Sequence, residues 1–357
     1  MHNYFNLQHF ADAGTLVNAT GGFANAYDSN GGTAFDSDHT LSAELKAFYD
    51  TELLENARTE LFYAQLAKRQ PLPANHHGSV EWRKWNTFER ASKLTEGVIP
   101  TGQKFGVTAV TGSIDQYGTY TAITDKLELR AYDDVILGAT EEMGASAAET
   151  QEALIRDALY TNTNVLYCDK ITRASGAVAA TPTGQQGLTE DATYHCHLTP
   201  EMVNKAVTVM KKNRVPRIGG KYFAVIHPSV AHDLRASDSW IEAHKYAAPE
   251  EIFNGEIGEL HGVRFIENVF APVIKEGSGS VAVYATYFFG RDSFGIIDPE
   301  GGALEMIIHD KGEIGGPLNQ FSTIGYKFET NGATILYPER LLRVMSTSSF
   351  SASDEAN

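Results

Sequence analysis

Residues 79–166 set two elongated elements one after the other, and neither can bury its own apolar surface. The first, residues 79–130, is dense in Thr, Tyr, Ile and Val, with Trp82 and Trp85 near its start and Gly97, Pro100, Gly102 and Gly106 at its middle. It reads as a long two-stranded ribbon with an open loop at its tip. The step from Trp82 to Trp85 breaks the two-residue alternation and suggests a bulge. A lone ribbon is marginal in water. The second element, residues 133–166, carries Ile136, Met143, Ala147, Leu154 and Ala158 on a helical stripe, with Asp133 and Asp134 at its start. At about 1.5 Å per residue it would be roughly 50 Å long. Protruding elements of this kind need another surface to cover them, which points to a chain that works by assembly.

The flanking segments set the organisation. Residues 1–38 are rich in Gly, Asn, Ala and Asp, with isolated aromatics at Phe5, Phe10, Phe23, Tyr27 and Phe35. They read as an extended arm in which each ring can fill a separate pocket. Residues 40–69 have a helical stripe (Leu41, Leu45, Phe48, Leu54, Ala57, Leu61) closed by Pro71 and Pro73. Residues 170–198 read as a loop. Thr199-Pro200-Glu201 then gives a cap, a first-turn proline and an acid, a strong helix start. Tyr222–His227 is a buried-type strand, Pro228 opens a short helix, and strands are expected near 262–270, 281–289 and 303–308. Strand and helix alternate here as in a mixed α/β body. Residues 318–345 return to β, with Asn331-Gly332 as a hairpin signal, and the Ser-rich residues 346–357 read as a solvated tail.

The charge is −16 and uneven. Residues 1–78 hold 4 basic and 9 acidic groups, 79–131 hold 7 and 6, and 132–357 hold 18 and 30. The ribbon is thus the one segment that is not acidic, and it suits an acidic body on a neighbouring copy. Such a balance disfavours direct binding to nucleic-acid phosphates. No apolar run of about 18 residues is present, so no membrane span is expected, and Met1–Phe5 does not have the form of a secretion signal. Cys168 and Cys196 fit no C-x-x-C pattern; a disulfide framework is not expected, and a reducing compartment is the default.

Catalytic and cofactor motifs are not evident. His195-Cys196-His197, with Cys168 and Asp191, is the most metal-like group, but neighbours on a strand face opposite ways and zinc ligands pair at spacings of two to four residues. A polar loop is the better reading. Gly219-Gly220-Lys221 lacks the other half of a phosphate loop. We expect no enzyme activity, no cofactor and no metal.

The order of elements resembles that of tailed-bacteriophage major capsid proteins with the HK97-like fold. The resemblance is carried by Leu94–Pro100 in the ribbon, Phe223–Pro228, Gly258–Glu267 and Gly316–Lys327. It implies an α+β fold with an N-terminal arm and helix at 1–78, an extended β loop at 79–131, a peripheral domain with a spine helix at 132–198, an axial domain at 199–315, return strands at 316–345 and a disordered tail at 346–357. It also implies self-assembly into hexamers and pentamers of an icosahedral shell around packaged double-stranded DNA. Scaffolding, portal and cement proteins would be its further partners. A nanocompartment shell is the alternative within the same fold, and an α/β ligand-binding protein or enzyme the alternative outside it. Some members join subunits through a Lys–Asn bond; Lys93 and Lys104 lie in the loop, but no partner Asn or acid is identifiable. The interface candidates are Trp82, Trp85, Phe88 and Lys93 in the loop and Phe5, Phe10 and Phe23 in the arm.

Overall fold

The computed structural model describes residues 62–73, 78–85, 88, 90–91, 93, 96–97, 99, 102–130, 135–237, 258–300, 302, 304–309 and 320–357. In chain order these form α1 (Tyr63–Leu66), β1 (Lys68–Leu72), β2 (Ser79–Trp85), β3 (Val107–Ser113), β4 (Asp115–Thr124), α2 (Asp125–Arg130) and α3 (Val135–Tyr160). Then come β5 (Val165–Tyr167), β6 (Lys170–Thr172), β7 (Val178–Ala180), β8 (Tyr194–His195), α4 (Pro200–Lys212), β9 (Tyr222–Ile226) and α5 (Pro228–Arg235). The last set is β10 (Gly258–Leu260), β11 (Val263–Glu267), β12 (Val273–Ile274), β13 (Val283–Phe289), β14 (Phe294–Pro299), β15 (Glu305–His309), β16 (Phe321–Thr330), β17 (Thr334–Ile335) and β18 (Leu341–Ser346). The chain divides into two compact units, and α3 passes from the first into the second.

In the first unit β16 is the central strand of a three-stranded antiparallel sheet, with β15 on one side and β4 on the other. Ile123, Met306, Ile324, Tyr326 and Phe328 share one face and bury against Met143 and Ala147 of α3. The pairing Phe321↔Thr124 through Thr330↔Asp115 overturns part of the sequence reading. The return run at 117–129 does not close the ribbon. Its strand pairs with a segment some two hundred residues later, and its end, Asp125–Arg130, is helix. The β-prone residues were recognised, but their partner lay too far along the chain for any local signal.

The second unit is built on a sheet ordered β10-β11-β9-β13-β18-β5. All seven residues of β13 are buried, and it lies between β9 and β18. A central strand covered on both faces reads as a continuous apolar run, as Val283–Phe289 does. β9 and β11 are parallel and α5 lies between them in sequence, the crossover that parallel strands require. The expected helix α4 forms as its start signal dictates: the Thr199 hydroxyl accepts from Met202 N at 3.4 Å, and Lys211 and Lys212 occupy the last turn. Its stripe of Met202, Val203, Ala206, Val207 and Met210 enters the main core with Phe265, Phe288 and Val344.

Four local expectations are corrected in this unit. Residues 68–72 are an edge strand rather than the end of a helix; Pro71 is tolerated there because an edge N–H has no ladder partner to lose. Residues 170–172, 178–180 and 194–195 form a small sheet where a loop was expected. Asn331-Gly332 does not make a hairpin. The Asn331 side chain accepts from Ile297 N at 2.9 Å and donates to Thr334 Oγ1 at 3.0 Å, Gly332 takes φ +61°, and β17 pairs with β14.

The tail is the fourth correction. Ser346, Thr347 and Ser348 are buried, and Ser349 bonds Asp233 through both N and Oγ. Asp354 accepts from Tyr284 Oη at 2.6 Å and from Ser229 Oγ at 3.3 Å. Asn357 closes on both the N–H and the carbonyl of Val273. Serine-rich composition looked solvated because hydroxyls bond water as readily as carboxylates, and here the carboxylates are within the same subunit.

One buried carboxylate holds the start of the described chain. Glu152 on α3 is fully buried and accepts from Tyr63 N at 2.9 Å, from Phe62 N at 2.5 Å and from Asn268 Nδ2 at 3.4 Å. Burial raises its pKa from an ordinary 4.5 to about 7, against the pull of these donors. A raised carboxylate favours the protonated form in the fold, so stability is lost as pH rises from about 4.5 to 7. At about 1.4 kcal/mol per pH unit the upper limit is ~3 kcal/mol. We therefore predict that Glu152→Gln, which keeps an acceptor without the charge, raises the thermal midpoint at pH 8 and flattens the decline expected of the unmodified protein between pH 5 and 8. Parallel pH profiles for the two proteins would contradict this.

Candidate functional site

The ribbon is real and regular. β2 and β3 pair from Ser79↔Ser113 to Trp85↔Val107 without a bulge. The expected bulge was a misreading of spacing: residues 82 and 85 are three apart, so on an unbroken strand they face opposite sides. The burial alternation of β2 follows from this. Val80, Trp82 and Lys84 are covered to differing degrees, while Glu81, Arg83 and Trp85 are exposed.

Trp82 is therefore placed in the core of its own subunit, 8% exposed, packed with Leu72, Ile297 and Leu336. Two glycines make room for it. A Cβ at Gly112 would lie 2.8 Å from its Cζ3, and one at Gly295 would lie 2.9 Å from its Cζ2. The covered face is tied further by Lys84, whose Nζ donates to Glu339 Oε1 at 2.8 Å and lies 4.6 Å from the Tyr337 ring centre. Arg340 covers the same ring at 3.6 Å. Trp82 thus fixes the ribbon's inner face, and its indole is almost wholly enclosed by its own subunit.

The opposite face gathers three rings. Phe105 stacks on Trp85 at 4.5 Å and 15°, and on Phe88 at 5.3 Å and 17°. The three are 57%, 57% and 56% exposed for Trp85, Phe105 and Phe88. Ile99 and Lys93, on the loop beyond, are exposed as well. Offset-stacked rings are individually favourable, but three large rings in water form an apolar patch of the kind that marks an interaction surface. Phe105 was not singled out from the sequence. The signal that could have found it is its place on the return side of the ribbon, two residues before the partner of Trp85. Phe5, Phe10 and Phe23 lie outside the described residues.

The metal-like cluster resolves into a clamp. Cys196 turns into the main core beside Cys168, both as free thiols whose pKa burial raises. His195 and His197 turn away from it with ring centres 4.4 Å apart. His197 Nε2 lies 2.9 Å from Glu190 Oε2, which also accepts from Thr347 Oγ1 at 2.8 Å, while Glu190 Oε1 pairs with Arg173. The carboxylate is used by the protein's own groups, and among the described residues no three His, Cys, Asp or Glu side chains converge on a metal position. Gly219 and Gly220 serve a tight turn between Ile218 and Lys221, at φ +59° and +88°. Among the described residues no helix is long and apolar enough to cross a membrane.

A ribbon whose outer face carries bare aromatic rings presents a surface suited to contact with another chain. Residues 108–330 match the family model described as phage capsid protein. The chain belongs to that family: it is a phage capsid protein, a structural protein of the virion shell. The fold agrees. The chain is similar to the capsid of the Helicobacter pylori bacteriophage KHP30, with a TM-score of 0.60, 10% identity, and 90% and 97% of the two chains covered. It is similar also to the cyanophage Pam1 capsid (0.59, 14%, 91% and 98%) and to the capsid of cyanophage P-SCSP1u (0.54, 16%, 90% and 94%). No curated protein sequence matches it. The expected α+β, HK97-like capsid fold is thus the fold of this chain, and its copies assemble into an oligomeric shell.

The two ribbon tryptophans separate core from surface. Trp82→Ala empties a filled core position and should lower stability by about 3–5 kcal/mol, whereas Trp85→Ala, from an exposed position, should change it by less than about 1 kcal/mol. Urea unfolding of the two variants checks this; equal losses would show that the faces are misassigned.

Proposed function

We propose that this chain is the major capsid subunit of a tailed phage and that its copies close, as hexamers and pentamers, into an icosahedral shell around packaged double-stranded DNA. The observation that supports this reading best is the ring stack Trp85–Phe105–Phe88, which a single subunit holds together but leaves exposed. In the proposed shell the ribbon at 79–113 lies over a neighbouring subunit, and the rings become its anchor, since aromatic residues are enriched at interfaces and Trp at their hot spots. Phe5, Phe10, Phe23 and Lys93 are proposed as lesser contacts. The axial region at 199–315 gathers at capsomer axes, and the spine helix and return strands form the periphery.

The charge distribution supports the same picture. A near-neutral loop is suited to rest on an acidic body, and a net charge of −16 disfavours adhesion of the wall to DNA. Packaged genome is then enclosed without being gripped and can slide during filling. Assembly would take place in the host cytoplasm, with scaffolding, portal and cement proteins as further partners.

The test is particle yield. Trp85→Ala and Phe105→Ala subunits should melt like the unmodified protein yet form shells at least tenfold less efficiently, measured by light scattering and negative-stain microscopy. Normal particle yield from both variants would remove the ring stack from the mechanism.

A further inference from the structure

The first unit carries a second bare feature, unrelated to the aromatic rings. β4 lies at an edge of its sheet, and at ten residues it is the longest edge strand among the described residues. Antiparallel pairing uses alternate main-chain groups of a strand. One set of β4 groups therefore bonds β16 and the other set points away from the sheet. Asp115, Gln116, Gly118, Thr119 and Tyr120 are exposed, Tyr120 at 57%.

Edges of this length are ordinarily guarded by charge, proline, a bulge or a covering element. On β4 the charge is confined to its first residue, Asp115: Gln116–Thr124 contains no charged residue and no proline, and the register with β16 is unbroken. Its composition is instead Tyr, Thr and Ile, residues that favour strands. The opposite edge of the same sheet shows the contrast. Both edges begin with an acid, but β15 is half as long, and its Glu305 is paired with Lys327 at 3.4 Å.

We infer that the outer edge of β4 is a strand-addition site for an extended segment of a second copy of this chain. Charge argues for a second copy as occupant. Copies at −16 repel one another wherever acidic surfaces meet. An edge free of charge from Gln116 to Thr124 lets them approach and be joined by main-chain hydrogen bonds, as when an extended segment adds to an open sheet. This inference rests on the shell-forming reading and adds a particular contact to it.

Hydrogen exchange read by mass spectrometry tests it on the full chain, comparing unassembled subunits with purified shells. The amides of 115–120 that exchange freely in the subunit should slow at least tenfold in the shell. In parallel, Gln116→Glu combined with Tyr120→Glu places two negative charges on exposed positions of the edge, where a second acidic copy is repelled. That variant should keep its melting temperature and lose at least tenfold in particle yield. Intact shells in which 115–120 exchange at the subunit rate would overturn the inference while leaving the shell function standing, as would normal assembly of the double variant. Protection that arises only when a different protein is co-assembled would overturn the second copy as occupant. Failure of the unmodified chain to form any shell would remove the reading beneath it.

Discussion

A two-stranded ribbon has two faces, and one subunit can cover only one of them. In this protein the covered face is decided by Trp82. Its indole fills the space left by Gly112 and Gly295 and meets Leu72, Ile297 and Leu336. Once that ring is buried, the two-residue period of the strand turns Trp85 outward, and the stack with Phe105 and Phe88 follows on the outer side. The core contact and the exposed patch are thus consequences of one register. A shift by a single residue would exchange them, placing Trp82 in water and charged Arg83 in the core.

The rest of the subunit ties several carboxylates into internal polar clusters, while buried polar atoms such as His195 Nδ1, Thr286 Oγ1 and Ser346 Oγ are left without a hydrogen-bond partner. Glu190 joins Arg173, His197 and Thr347. Asp354 and Asp233 hold the C-terminal serines. Glu152 gathers the N–H groups of Phe62 and Tyr63. The proposed partner contacts are chiefly apolar or main-chain: rings at the end of the ribbon and backbone groups along an edge uncharged from Gln116 to Thr124. For a chain that carries −16 and assembles with itself, such contacts avoid the repulsion that charged surfaces would bring.

Elements with their own local signals were legible in the sequence. α4 announced itself through Thr199-Pro200-Glu201, β9 through the apolar run Tyr222–Ile226, and α5 through Pro228. The order of elements was enough to identify the capsid fold. Long-range pairing was not legible. Nothing near Tyr117 says that its strand bonds Phe328, and nothing in Asn331-Gly332 says that the amide will bond Ile297 instead of turning a hairpin. Face assignment was partly legible. Both ribbon tryptophans were recognised as significant, but only the unbroken register separates the buried Trp82 from the exposed Trp85. Phe105 escaped because its importance is a property of the pair it makes across the ribbon.

The central claim is that the outer face of the ribbon, bare in the subunit, is covered by a neighbour in the shell. A cryo-electron microscopy reconstruction of assembled particles tests it most directly. The account requires Trp85, Phe105 and Phe88 to lie against another subunit, with Trp82 still enclosed by its own. Closed particles in which the three rings face solvent, or the interior, would contradict it.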